Sequence, residues 1–194
     1  MFRVLLLLFV LAPSTLMAQE QARLPLFLES AYGQVGKTVK YDAAYERIAF
    51  PGGDVPFERG VCTDVVVRAY RGIGLDLQLQ VNQDMHRAFG VYPRLWGLSR
   101  PDSNIDHRRV QNLEVFFKRH GKELPVSKEA GDYKPGDIVT WRLPDGRPHI
   151  GLVSDRQSGG LPLIVHNIGA GAEVEDTLFA FKIAGHYRYG LDKN

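Results

Sequence analysis

Tyr133-Lys134-Pro135-Gly136-Asp137-Ile138-Val139-Thr140-Trp141-Arg142-Leu143 reads as a turn followed by a strand, and the chain then repeats that pattern. Pro144-Asp145-Gly146-Arg147-Pro148 is a second turn, and His149-Ile150-Gly151-Leu152-Val153-Ser154 a second strand. Ser158-Gly159-Gly160 turns the chain again ahead of Leu161-Pro162-Leu163-Ile164-Val165-His166. Short runs rich in β-branched residues, separated by Pro, Gly and Asp, predict an antiparallel meander. Phe179, Phe181 and Ile183 alternate further on, as do Tyr187 and Tyr189, which predicts more strand.

Upstream the period changes to that of a helix. Leu26 to Val35 is a first helix closed by Gly33 and Gly36, and Pro51-Gly52-Gly53-Asp54-Val55-Pro56 is a loop. Cys62 to Arg71 places Val65, Val66, Ala69 and Tyr70 on one face, with Gly72 and Gly74 as the stop. Asn82 is positioned to cap a short helix carrying Met85, Ala88 and Phe89. Val110, Leu113, Phe116 and Phe117 mark another helix, ended by Gly121, with Asp106 as its expected N-cap. Helices first and sheet second predict an α+β fold, N-terminal helices packed on a C-terminal antiparallel sheet.

The 194 residues, 44% hydrophobic and 24% charged, have the balance of a globular chain, which excludes a disordered or collagen-like one. A net charge of +2 gives no basis for nucleic-acid binding, and a single cysteine excludes an internal disulfide or a CxxC metal site. Arg3 followed by the apolar run Val4–Ala12, then Ala18 before Gln19-Glu20, predicts a signal peptide over residues 1–18. The run is shorter than the roughly 20 residues a bilayer span needs, so no membrane span is expected after cleavage. Residues 19–194 then form one domain in the periplasm or outside the cell. In that oxidising setting the lone Cys62 is either buried and inert or kept for its reactivity.

Cys62 stands where the loop becomes a helix, two residues after Gly60. The helix dipole and unpaired N–H groups there favour thiolate, and glycine lets a substrate or backbone approach. A thiolate nucleophile needs a proton carrier, and His149 opens a strand of the meander with Gly151 on its face. Successive strand residues point to opposite faces, so one of His166 and Asn167 faces His149, with His166 favoured. The expected constellation is Cys62 as nucleophile, His149 as base and acid, and His166 as orienter, with Asn167 the rival. The competing readings are an inert Cys62 with unrelated histidines, and a zinc site on His149, His166 and a carboxylate; no HExxH accompanies the latter.

Gly60-Val61-Cys62-Thr63-Asp64, Lys134-Pro135-Gly136-Asp137-Ile138-Val139, Pro148-His149-Ile150-Gly151-Leu152-Val153 and Ile164-Val165-His166, in this order, resemble the NlpC-type cell-wall cysteine peptidases. That resemblance implies a reduced papain-like fold and cleavage of an amide bond in peptidoglycan stem peptides or another cell-envelope peptide, without a cofactor. Thr63-Asp64 departs from the Ser-Gly that such peptidases carry there. The chain resembles more closely a family of bacterial exported proteins of unassigned function. The likeness rests on Tyr41-Asp42-Ala43-Ala44-Tyr45, the loop Pro51–Pro56, Asn104-Ile105-Asp106-His107-Arg108 and His166-Asn167-Ile168-Gly169.

Four further residues are candidates for binding substrate. Asp64 lies in the first helical turn after Cys62, where a carboxylate is either a cap or a substrate contact. Asp106 and Arg108 form a possible lip, the guanidinium forking a stem-peptide carboxylate. Tyr41, four residues before Tyr45, is placed to line a groove. The alternatives to a hydrolase are a non-catalytic envelope-binding protein that keeps the fold, and a cysteine transacylase or thioesterase.

Overall fold

The computed structural model describes residues 23–191, so the expected signal peptide lies outside the described residues. The chain is α+β: helices come first and pack on a C-terminal antiparallel sheet. Helix α1 (Arg23–Tyr32) lies three residues earlier at both ends than the spacing predicts. Helix α2 (Cys62–Arg71) has the expected bounds. Its Val65, Val66, Ala69 and Tyr70 are fully buried, and such burial is worth about 1.5–3 kcal/mol for a large apolar side chain. Helix α3 (Leu77–Ala88) starts earlier than expected because Asp76, not Asn82, is its cap, accepting the Gln78 N–H at 3.0 Å. Helix α4 (Val110–His120) closes with the Gly121 N–H on Phe117 O at 2.8 Å. Arg109 holds its N-cap position; the expected cap, Asp106, instead opens a tight turn over Asp106–Arg108.

Two short strands, β1 (Lys40–Tyr41) and β2 (Arg59–Gly60), pair in parallel just ahead of α2. The main sheet holds β3 (Lys122–Leu124), β4 (Ile138–Arg142), β5 (Pro148–Ser158), β6 (Leu161–Asn167), β7 (Ala172–Glu175) and β8 (Lys182–Arg188). Its order is β3-β8-β4-β5-β6-β7. The β4–β6 part is the meander read from the turns, and β7, which the turns did not give, extends it. The two strands expected around Phe179 and Tyr187 are one, β8, and Phe179 precedes it in a turn. The buried Asp137 of the Pro-Gly-Asp turn fastens β8 beside β4. It takes the Lys134 N–H at 2.9 Å, two Arg188 donors at 2.7 and 2.9 Å, and His186 Nε2 at 2.8 Å.

The sheet has a core on each face. Ile138, Ile150, Leu152 and Val165 meet the helices. Val139, Trp141, Val153 and Ile164 turn the other way, onto Tyr133 and Leu178.

Candidate functional site

Cys62 begins α2, and its position is set by the loop in front of it. Asp64, in the helix's first turn, accepts the Val61 N–H at 2.6 Å. Gly60 makes room for that carboxylate: a Cβ there would stand 2.8 Å from Asp64 Oδ2. The close approach expected of Gly60 is therefore made by Asp64. Asn167, fully buried, donates from Nδ2 to Gly60 O at 3.0 Å and ties the end of β6 to the same loop.

Val153 N–H bonds Asp137 O at 2.8 Å, so odd-numbered residues of β5 pair toward β4 and even-numbered ones toward β6. The β5–β6 ladder includes Leu152–Val165 but does not continue to Ile150; His166 and Asn167 pair only with β7. The Ile150 N–H is thus left facing a gap near the Cys62 thiol, and its nearness, with that of the Thr63 and Cys62 N–H groups, acts to lower the thiol pKa. The sulfur therefore lies near the β5 backbone, one residue along from His149.

Cys62 is only 4% exposed. The expectation of a ready thiolate fails for this reason. Burial pushes the thiol up to about 12, and the three N–H groups do not offset it.

His149 and His166 point to the sheet face that carries Trp141 and Val153, the face turned away from α2. His149 Nε2 and His166 Nδ1 are 2.8 Å apart, and the Trp141 ring lies 5.7 Å from that of His149. Burial, followed by the nearby His166 and Arg147, lowers His149 to about 3. Of the two possible orienters, His166 touches His149 and Asn167 faces the cysteine loop instead. Gly151 serves the ring pair. A Cβ on it would stand 2.6 Å from Ile164 Cγ2 and 3.1 Å from His166 Cβ, so its bareness accommodates β6 and not a helix end.

The expected lip is a clamp. Arg108 does fork a carboxylate, but it is that of Asp64, at 2.8 and 2.9 Å. Its remaining N–H groups hold Ala44 O at 3.1 Å and Asp42 O at 3.2 Å. Asp106, 1% exposed, takes the Asp102 N–H at 2.5 Å and Arg109 at 3.1 Å. These three side chains pin the 42–44 segment and the α4 entry around the Cys62 loop, and none faces solvent. Tyr41 does: its residue pairs with Gly60, it is 36% exposed, and burial pushes its phenol up to about 12, with Cys62 the next influence.

Sequence reasoning missed Glu175, whose Oε2 lies 2.8 Å from His166 Nε2. Its strand, β7, is four residues long and carried no strong period. No group of three or more His, Cys, Asp or Glu among the described residues is placed to hold a metal ion. No helix among the described residues is long and apolar enough to cross a membrane.

The family model described as "Domain of unknown function (DUF1287)" matches residues 28–189. The chain is 53% identical over 178 residues to "Uncharacterized protein YijF" of Escherichia coli (strain K12), covering 91% of this chain and 86% of that protein. With most of its described length matched in both comparisons, the chain belongs to the DUF1287 family.

Proposed function

We propose that the chain is an exported cysteine hydrolase of NlpC-like, papain-like type that cleaves an amide bond, with peptidoglycan stem peptides as its substrate class. The observation that carries this reading is the thiol of Cys62 near the Ile150 backbone N–H, one residue from an imidazole that His166 holds at 2.8 Å. At neutral pH the pair rests as thiol and imidazole, because burial disfavours charge on both. Charge separates only when an acyl group arrives. The sulfur then attacks the carbonyl carbon while its proton passes to His149, and His149 returns that proton to the leaving amine. N–H groups at the start of α2 are suited to the oxyanion. Tyr41, half-open beside Gly60, is the residue of the expected set that would meet substrate. Residues 1–18 would direct export to the periplasm or beyond, leaving 19–194 as one catalytic domain.

The 4% exposure of Cys62 favours one other reading, an envelope-binding protein with an inert thiol. One experiment separates them: incubate the chain lacking residues 1–18, and its Cys62→Ala variant, with purified peptidoglycan, and identify the soluble products by mass. The hydrolase releases fragments that Cys62→Ala does not. Identical product profiles end the hydrolase reading for this substrate.

A further inference from the structure

Glu175 has no part in the cysteine–histidine logic of the sequence, yet it ends the hydrogen-bonded series that starts at His149. We propose that Glu175 is a positioning residue that acts through His166 to hold His149 in the tautomer with its lone pair on Nδ1. The inference deepens the hydrolase reading and rests on it for its consequence.

The assignment follows from which atoms can donate. A carboxylate oxygen only accepts, so across 2.8 Å His166 Nε2 is the donor and Glu175 Oε2 the acceptor. Burial holds His166 below the usual histidine range, so the ring is neutral and its single proton is the one on Nε2. His166 Nδ1 therefore carries a lone pair, and His149 Nε2, 2.8 Å away, must be the N–H that it accepts. His149 is neutral too, and its remaining nitrogen, Nδ1, is left as the proton acceptor. The opposite arrangement would face a His166 lone pair with a carboxylate and place the His149 proton on Nδ1, where the base is needed. When Nδ1 takes the thiol proton, His149 becomes imidazolium while its Nε2–H stays on His166, with the carboxylate beyond balancing the charge.

Geometry selects Glu175 over its neighbour. In the β6–β7 ladder His166 stands opposite Glu173 and Ile164 opposite Glu175. His166 and Ile164 share a face, so Glu175 reaches the ring on the diagonal, within range of a long side chain. Glu173 faces His166 by charge alone, Arg147 lies beside His149, and Tyr41 and Asp64 face the thiol. Among the described residues only Glu175 joins a carboxylate to either ring of the pair.

Nitrogen-15 NMR of the histidine rings at pH 7 tests this on the chain lacking residues 1–18, beside Glu175→Gln and Glu175→Lys. Glutamine keeps an acceptor oxygen; lysine presents only donors, and an edge strand tolerates it. The wild type is expected to show Nε2–H on both rings, Glu175→Gln to keep that pattern, and Glu175→Lys to invert both. Release of peptidoglycan fragments should fall about ten- to hundred-fold in Glu175→Lys and recover in Glu175→Gln, at unchanged melting temperature. Nδ1–H on either ring of the wild type overturns the proposal, whether or not a variant folds. So does a Glu175→Lys protein whose His149 keeps its tautomer. If the rings behave as expected but even the wild type releases nothing, the positioning role stands and the hydrolase reading fails.

Discussion

At the scale of single residues, one helix turn sets the buried thiol of Cys62 beside the fixed carboxylate of Asp64. The sulfur is desolvated, so in the proposed hydrolase its attack would depend on handing a proton to His149 and not on a standing thiolate. Cys62→Ala is expected to reduce fragment release by on the order of a thousand-fold or more, measured as initial rates on peptidoglycan. Asp64 and Arg108 do a different job. Their side chains are 3% and 2% exposed, and Asp64 fixes the Val61 N–H while Arg108 fixes the 42–44 carbonyls. A buried pair broken on one side leaves an uncompensated charge. Arg108→Met should therefore lower the unfolding free energy in urea by about 3–5 kcal/mol. The double variant Asp64→Leu/Arg108→Met should recover part of that loss. A single variant as stable as wild type would remove the clamp from this account.

At the scale of elements, the site exists because β6 leaves β5 early. That departure exposes the Ile150 N–H to the thiol, and it puts His166 over Gly151. Gly151→Ala brings a methyl against Ile164 and His166 and should cost about 1–3 kcal/mol, read from the melting curve. The same variant should broaden or shift the His166 ring signals in NMR; an unchanged His166 would show that the ring does not depend on this contact. The sequence carried much of this element logic. The apolar face of Cys62–Arg71 and the Gly/Pro turns around residues 133–166 are strong local signals, and the alternation rule already required one of His166 and Asn167 to face away. What it did not carry depends on partners far away in the chain. Asp106 has the composition of a helix cap, but its carboxylate is drawn to the Asp102 N–H four residues back. Arg108 looked like a free fork because its carboxylate, Asp64, lies 44 positions earlier. Glu175 reaches His166 only through the register of a four-residue strand that follows a glycine-rich turn.

At the scale of the whole molecule, the sheet separates the two halves of the site. Cys62 belongs to the helix-side core, while His149 and His166 belong to the face that carries Trp141. Cys62 opens α2 and His149 stands at the start of β5, so no single element holds the constellation by itself, and global stability governs the site. That stability is linked to pH through buried neutral rings. His149 and His107 are each lowered from 6.5 to about 3, first by burial and then by nearby basic groups. A depressed histidine contributes stability that is complete above the unfolded value and is lost as pH falls toward the folded one, since the unfolded chain takes up the proton first. Between about pH 6.5 and 4.5 each ring should therefore remove about 1.4 kcal/mol per pH unit, before the buried carboxylates begin to titrate. His166, lowered by burial as well, acts in the same sense. Urea unfolding across this window measures the slope directly. His107→Gln removes one ring without touching His149, and is expected to flatten the slope by roughly its one-proton share. An unfolding free energy that stays level from pH 6.5 to 4.5 would mean that these rings are solvated or already charged in the folded protein, and the neutral thiol–imidazole pair would fall with them.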